Sequence, residues 1–175
     1  MIKLETERLI IRNFTIEDWK DIATIAMHYE ETELAKYDEG PWPNTLEEYR
    51  KIADWFAKGD DFVAVVLKAE KKMIGWIAKA RNRKKEKEFN FGYIFHLDFH
   101  GKGYATESCL AVIKYIFEEL DAELIVSGTA KINEPSNKLL KRLGFTPIGE
   151  TTQAFRKDEE GKPIEFVGVD YVLRK

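Results

Sequence analysis

A single cysteine, Cys109, occurs in 175 residues. That excludes an internal disulfide and a cysteine metal cluster, and makes a reducing, cytoplasmic setting the expectation. The three histidines, at 28, 96 and 100, do not stand at a metal-ligand spacing, so no metal is expected. No apolar run approaches the length of a membrane-spanning helix, and the leading Met1-Ile2-Lys3-Leu4-Glu5 lacks a signal-peptide pattern. Neither sign of charge dominates: 28 Lys and Arg against 31 Asp and Glu leave a net charge of −3. A general nucleic-acid binder is normally clearly basic, so that class is set aside. The one basic run, 81–88, contains no aromatic and is interrupted by Glu86 and Glu88, which reads as a solvated hairpin loop. Internal repeats and low-complexity linkers are missing too. What the chain does have is apolar residues, at 44% enough to bury a core as one domain over residues 1–175.

The chemistry concentrates in His96-Leu97-Asp98-Phe99-His100-Gly101-Lys102-Gly103-Tyr104-Ala105-Thr106-Glu107. Before it, in 89–97, the odd positions are all large and apolar, the period of a half-buried strand. From Ala105 the period becomes helical, with Cys109, Leu110, Val112, Ile113, Ile116, Phe117 and Leu120 on one broad face. The first N–H groups of a helix have no intrahelical partner, and the macrodipole adds positive charge there. Glycines at 101 and 103 remove the Cβ atoms that would hold a phosphate away from those groups. The turn is therefore a candidate pyrophosphate cradle; a glycine turn kept for steric reasons is the alternative. It is neither a dinucleotide fingerprint, since Thr106 stands where a third glycine belongs, nor a P-loop, since Gly-Lys-Ser/Thr is absent.

The remaining chain supplies the frame. Residues 4–12 run from a polar lead into a short strand. Thr15 and Asp18 cap a first helix striped by Ile16, Trp19, Ile22, Ala23 and Ala26, fading near His28. The acids Glu30, Glu31, Glu33, Asp38 and Glu39 follow, as a solvated linker or as groups that attract a cationic amine. After the break at 40–44, Thr45 and Glu48 form a capping box for a helix faced by Leu46, Tyr49, Ile52, Ala53 and Phe56. Residues 62–67 are apolar on both faces, as in a central strand, and 73–78 and 124–129 are further strands. Asn133-Glu134-Pro135-Ser136-Asn137 opens a short helix, its proline in the first turn, with Leu139, Leu140 and Leu143 buried and Gly144 as the stop. Strands over 145–151 and 166–173 pair across the polar tip 157–163.

The segment Asp98-Phe99-His100-Gly101-Lys102-Gly103 is similar to the acyl-CoA pyrophosphate loop of the GNAT N-acetyltransferase superfamily, Arg/Gln-x-x-Gly-x-Gly/Ala. Both glycines match; Asp98 stands in the first position, which keeps the backbone half of the cradle and alters the side-chain half. Asn133-x-x-Ser136-x-x-Leu139-x-x-x-Leu143-Gly144-Phe145 is a second match, in the correct order. The continuation Gly-Lys-Gly-Tyr-Ala-Thr-Glu and the opening Glu5-Thr6-Glu7-Arg8-Leu9-Ile10-Ile11-Arg12 resemble the RimJ/RimL-like branch that acetylates ribosomal-protein N-termini. The resemblance runs from Glu5 to Leu173.

It implies an α/β (α+β) GNAT fold: a mixed, mostly antiparallel sheet of about six to seven strands, splayed around the acyl-CoA site and flanked by about four helices. It also implies transfer of an acetyl group from acetyl-CoA (coenzyme A) to a primary amine, by direct attack, on a protein N-terminus or a small molecule. The implied cofactor wall is Leu97, Asp98, Phe99, His100, Gly101, Lys102, Gly103, Tyr104, Ala105, Thr106, Asn133, Ser136 and Asn137. Backbone N–H near Phe95 or His96 is the implied oxyanion donor. Relatives often carry Glu and Tyr where this chain has Asn90 and Leu140, so the catalytic candidates are Ser136, His96 and Glu31. Ser136 is alternatively a helix-turn hydroxyl and His96 a structural residue. Glu30, Glu31, Tyr37, Trp42 and Asn90 are the acceptor-side candidates, with Phe155 beside them. A non-catalytic acyl-CoA-binding module is the second functional reading. The expected partners are acetyl-CoA and an amine, with a homodimer left open and neither membrane nor nucleic acid.

Overall fold

Alternating and fully apolar segments build one open sheet of eight strands in the computed structural model, which describes residues 2–175; Met1 lies outside them. The strands are β1 (Lys3–Glu5), β2 (Leu9–Arg12), β3 (Phe62–Leu67), β4 (Lys72–Arg81), β5 (Glu88–Phe95), β6 (Leu124–Ala130), β7 (Thr146–Gln153) and β8 (Phe166–Arg174). Their order across the sheet is β1-β2-β3-β4-β5-β6-β8-β7. Eight strands exceed the six to seven expected because the polar lead Lys3–Glu5 pairs with β2, which its charged alternation did not reveal. Among the described residues the α-helices number four: α1 (Trp19–Glu30), α2 (Leu46–Lys58), α3 (Tyr104–Glu118) and α4 (Glu134–Arg142).

Two apolar clusters lie on opposite faces of the sheet. One packs Cys109, Val112, Ile113 and Ile116 of α3 and Leu139 and Leu140 of α4 against the odd positions Phe89 and Phe91 of β5. The other packs Ile22, Ala26, Tyr49, Ala53 and Phe56 of α1 and α2 against Ala64, Val66 and Trp76. Three residues assigned to buried helix faces by spacing, Ile16, Leu46 and Leu110, are instead exposed at 51%, 55% and 48%. Each lies at the margin of a stripe wider than its contact with the sheet. The first capping box forms, with Asp18 accepting from Thr15 N–H at 2.7 Å; of the second only the Thr45 half is made, Glu48 N–H donating to Thr45 Oγ1 at 3.4 Å.

One pairing positions the site. All strand pairs are antiparallel except β5–β6, which is parallel and ends after Asn90↔Val126. Beyond that point β5 stays on β4 and β6 stays on β8, so the two central strands diverge. Ser127 Oγ donates to Phe91 O at 2.8 Å across the apex. Past it, the β5 and β6 edges facing each other have no ladder partner, which is the splay expected at a GNAT donor site. The strand expected over 89–97 stops at Phe95; Leu97–Phe99 forms a 3-10 turn, and α3 starts at Tyr104.

Candidate active site

At the mouth of the wedge, Gly101 (φ +72°) and Gly103 (φ +82°) turn the chain into α3. Both lie in the left-handed region, where an L side chain costs about 1–2 kcal/mol. Gly103 is the N-cap of α3 and supplies no capping side chain. Among the described residues nothing accepts from the N–H groups of Gly101, Gly103, Tyr104, Ala105 and Thr106, and all five residues line a cavity of about 660 Å³. Leu97, Phe99, His100, Gly101, Gly103, Tyr104, Ala105, Thr106, Asn133 and Ser136 line that cavity, with Arg142 and Lys138 adding positive charge. A cradle of unpaired N–H groups flanked by cations, opening onto an unpaired strand edge, fits the pyrophosphate and amide arm of coenzyme A.

A clamp holds the cradle from behind. Glu107, in the first turns of α3, accepts from Thr6 Oγ1 at 2.6 Å, Arg8 N at 2.9 Å and Arg8 Nε at 2.7 Å. Arg8 Nη1 donates to Lys102 O at 2.9 Å, and its guanidinium lies 4.5 Å over the Tyr104 ring. Burial works against the ionised Glu107, but the hydrogen bonds from Thr6 and Arg8 outweigh it and hold the carboxyl below its ordinary range.

A second cavity, of about 700 Å³, opens on the sheet face under α2 and shares Tyr29, Leu34, Tyr93, Ile94 and Ser136 with the first. At that junction Tyr93 Oη sits 2.9 Å from Ser136 Oγ and 3.3 Å from Ser136 O. Burial raises the Tyr93 pKa, so the phenol holds its proton at neutral pH. Ser136 N–H is taken by Asn133 Oδ1 at 3.2 Å, the N-cap of α4.

The sequence profile described as an acetyltransferase (GNAT) domain matches residues 8–146, which is most of the chain. The chain belongs to the GNAT acetyltransferase family. The acetyltransferase is 28% identical over 160 residues to the uncharacterized N-acetyltransferase YnaD of Bacillus subtilis, covering 90% of each chain. Its fold matches the ribosomal-protein-S5-alanine acetyltransferase of Vibrio fischeri with a TM-score of 0.79 at 21% identity, over 99% of this chain and 97% of that one. It also matches the microcin C7 self-immunity acetyltransferase MccE, solved with acetyl-CoA and AMP, with a TM-score of 0.80 at 14% identity. There the overlap is 97% of this chain and 94% of the other. Membership of the GNAT acetyltransferase family makes acetyl-CoA the acyl donor, as the two motifs imply.

Several residues singled out by sequence lie elsewhere in the acetyltransferase than expected. Asn137 is outside both cavities: its Nδ2 donates to Ala130 O and Asn133 O, and its Oδ1 accepts from Tyr171 Oη at 2.7 Å. It clasps α4 to β8. Asp98 and Lys102 do not line the donor cavity; Lys102 Nζ folds back onto Asp98 O at 2.9 Å. His96 is not on the Asn90 face of a strand. It follows β5, buried, with its N–H donating to Ile74 O at 2.9 Å, so that amide is not free as an oxyanion donor. Glu31 is exposed and outside both cavities. Glu30 is spent on Arg156 through two contacts of 2.8 Å and on Trp42 N–H at 3.2 Å. Arg156, opposed by burial, holds that carboxyl below its usual range. Tyr37, Trp42 and Asn90 do line the second cavity.

Sequence reasoning missed Tyr93 and His28. Tyr93 carried a signal, since a phenol at a core-facing strand position needs a partner for its hydroxyl. His28 carried none. Its Nδ1 lies 2.8 Å from His96 Nε2, although 68 residues separate them. Asp98 N–H donates to His96 Nδ1 at 3.2 Å, which leaves the proton of neutral His96 on Nε2, facing His28 Nδ1. Neutral His28 then carries its proton on Nε2, and His28 lines the donor cavity where His96 does not.

Proposed function

We propose that this GNAT enzyme acetylates a primary amine by direct attack, with the donor in the wedge-side cavity and the amine arriving through the second one. The observation that carries this reading is the meeting of the two cavities at Tyr93 and Ser136. Bound acetyl-CoA supplies a thioester whose C–S bond breaks as the C–N bond forms; of three ammonium protons, one is released, one ends on sulfur and one stays on the amide.

The chain's own groups then have distinct tasks. N–H groups of residues 101–106 hold the pyrophosphate, with Arg142 and Lys138 balancing its charge. The free β5 edge from Gly92 to Phe95 orients the pantetheine arm in place of the missing ladder. Tyr93 Oη, kept protonated by burial and hydrogen-bonded to Ser136, delivers the proton the leaving sulfur needs. Ser136 supports that phenol. His96 bears on the site through His28, whose ring lines the donor cavity, and through Phe99, which it meets edge-on at 5.9 Å. The setting we assign is cytoplasmic, on the single buried cysteine.

Free thiol released from acetyl-CoA, measured across amine acceptors for the wild type and Tyr93→Phe, tests the reading. Acceptor-dependent release that falls about 10- to 100-fold in the variant, with acetyl-CoA affinity kept, is the expected result. Tight acetyl-CoA binding with no release for any amine would sink it.

A further inference from the structure

The second cavity has a composition that selects its occupant. Its floor on the sheet is nearly free of side chains. Ala78 pairs with Gly92 and Ala80 with Asn90, and opposed residues share a face. Carried across β6, the same face presents Gly128 and, opposite it, Asp170. Aromatic rings stand around that floor, with Trp42 packed edge-on against Trp76 at 5.5 Å on one side and Phe155 against Phe166 at 5.5 Å on the other. Among the described residues no Lys, Arg or His lines the cavity, while Asp38, Glu39 and Asp170 do. Asp38 accepts from Tyr29 Oη at 3.0 Å. Asp170, half-buried, has no hydrogen-bond or ion-pair partner among the described residues.

We propose that the acceptor is a small primary amine on an aromatic or branched apolar body without an anionic group, its ammonium held by Asp170. This rests on the transferase reading above and adds the substrate class. Rings offer the body apolar area and offer the ammonium cation–π attraction, while the unpaired carboxylate supplies a charge-assisted bond. A polyhydroxylated amine would strand its hydroxyls against these rings, and a carboxylate would meet only acids. Arg156 pins the segment carrying Phe155 to the segment carrying Asp38 and Glu39, through Asp38 O at 3.0 Å and Gly40 O at 2.6 Å. Those two walls are thereby fixed, and the backbone amides of a peptide would meet apolar rings between them, which is why the small molecule is preferred.

The test is kcat/KM from thiol release with phenethylamine, phenylalanine, spermidine, a kanamycin-type aminoglycoside and a short peptide with a free N-terminus. Phenethylamine is expected to lead each of the others by about 10-fold or more, and phenylalanine, the same body plus a carboxylate, to trail by about 100-fold. Asp170→Asn is expected to raise KM for phenethylamine about 10- to 100-fold, and to raise it far less for a β-fluorinated amine that is neutral at the assay pH. Acetyl-CoA affinity and urea midpoint should stay put. Preference for the aminoglycoside, spermidine or the peptide, parity of phenylalanine, or an indifferent Asp170→Asn overturns the proposal while leaving a working transferase. Turnover of none of them, with acetyl-CoA bound, overturns both readings together.

Discussion

Removing the Glu107 carboxylate should loosen the glycine turn proposed to cradle acetyl-CoA without removing any group assigned to the cofactor. In Glu107→Ala the chain loses acceptors for Thr6 Oγ1, Arg8 N–H and Arg8 Nε, and an ion pair of 2.7 Å to Arg8 Nη2. A hydrogen bond to a charged group is worth about 1.5–3 kcal/mol when buried. Here Glu107 is 17% exposed and Arg8 40%, so solvent screens the pair and the whole clamp contributes about 2 kcal/mol. Loss of a negative charge near the start of α3 adds about 0.5 kcal/mol. The expected destabilisation is therefore about 2–3 kcal/mol, or about 5–10 °C in Tm for a chain of this length. Arg8→Ala should cost less, about 1 kcal/mol, because Glu107 keeps Thr6 Oγ1 and the residue 8 main-chain N–H. Arg8→Ala loses the tether from Arg8 Nη1 to Lys102 O, and Glu107→Ala loses the contacts that aim that guanidinium, so both should weaken acetyl-CoA binding, by about 3- to 10-fold. Urea melts and calorimetric titration of acetyl-CoA read the two effects, and the double mutant should fall short of additivity by about 1 kcal/mol. The sign with pH also follows. The folded Glu107 pKa is depressed, so its stabilisation is present above the ordinary carboxylate pKa and fades as pH falls through the folded value. Equal urea midpoints for wild type and Glu107→Ala at neutral pH, or unchanged acetyl-CoA affinity in both variants, would refute the clamp.

Three further outcomes are expected. Gly101→Ala and Gly103→Ala should each lose about 1–2 kcal/mol from positive φ, with Gly103→Ala the worse because its Cβ would sit 3.3 Å from Arg8 Nη2 while Gly101 faces open space; equal urea midpoints for wild type and both variants would contradict this. Tyr93→Phe should lose about 1 kcal/mol of stability from the hydrogen bond to Ser136 while Ser136→Ala loses less activity than Tyr93→Phe; a larger kcat loss in Ser136→Ala would reverse their roles. Burial, reinforced by His28, Lys72 and His100 and opposed by Asp98, depresses the His96 pKa. Its stabilisation is thus present above about 6.5 and lost as pH falls through the folded value, so His96→Gln should flatten the decline of urea midpoint below that pH. Parallel curves would exclude the assignment.

Local patterns in the sequence were enough for the glycine turn, the caps and most of the frame. Two glycines between a period of two and a helical period define a turn whose N–H groups are unpaired, and that logic needs no partner elsewhere in the chain. Thr45 with Glu48 and Asn133 with Ser136 lie within one helical turn of each other, so their bonds are written in adjacent residues. The contacts that surround the proposed site are of another kind. Tyr93 meets Ser136 across 43 residues, His28 meets His96 across 68, and Arg8 meets Glu107 across 99. Each depends on strand order and register, which bring distant segments together through the sum of many weak contacts. The same holds in reverse for Glu30 and Asn137. Their residue types suited ligand binding, yet the fold set Arg156 and Tyr171 against them and used up their polar atoms. Asp170 read as one acid in an ordinary strand. Only the side-by-side placement of Gly128 and the rings around it turned that carboxylate into an unpaired charge on the floor of a cavity. Periodicity and capping act within a few residues and are legible in one dimension; pairing, burial and unpaired charge are properties of neighbours in space, and the tertiary structure alone assigns those.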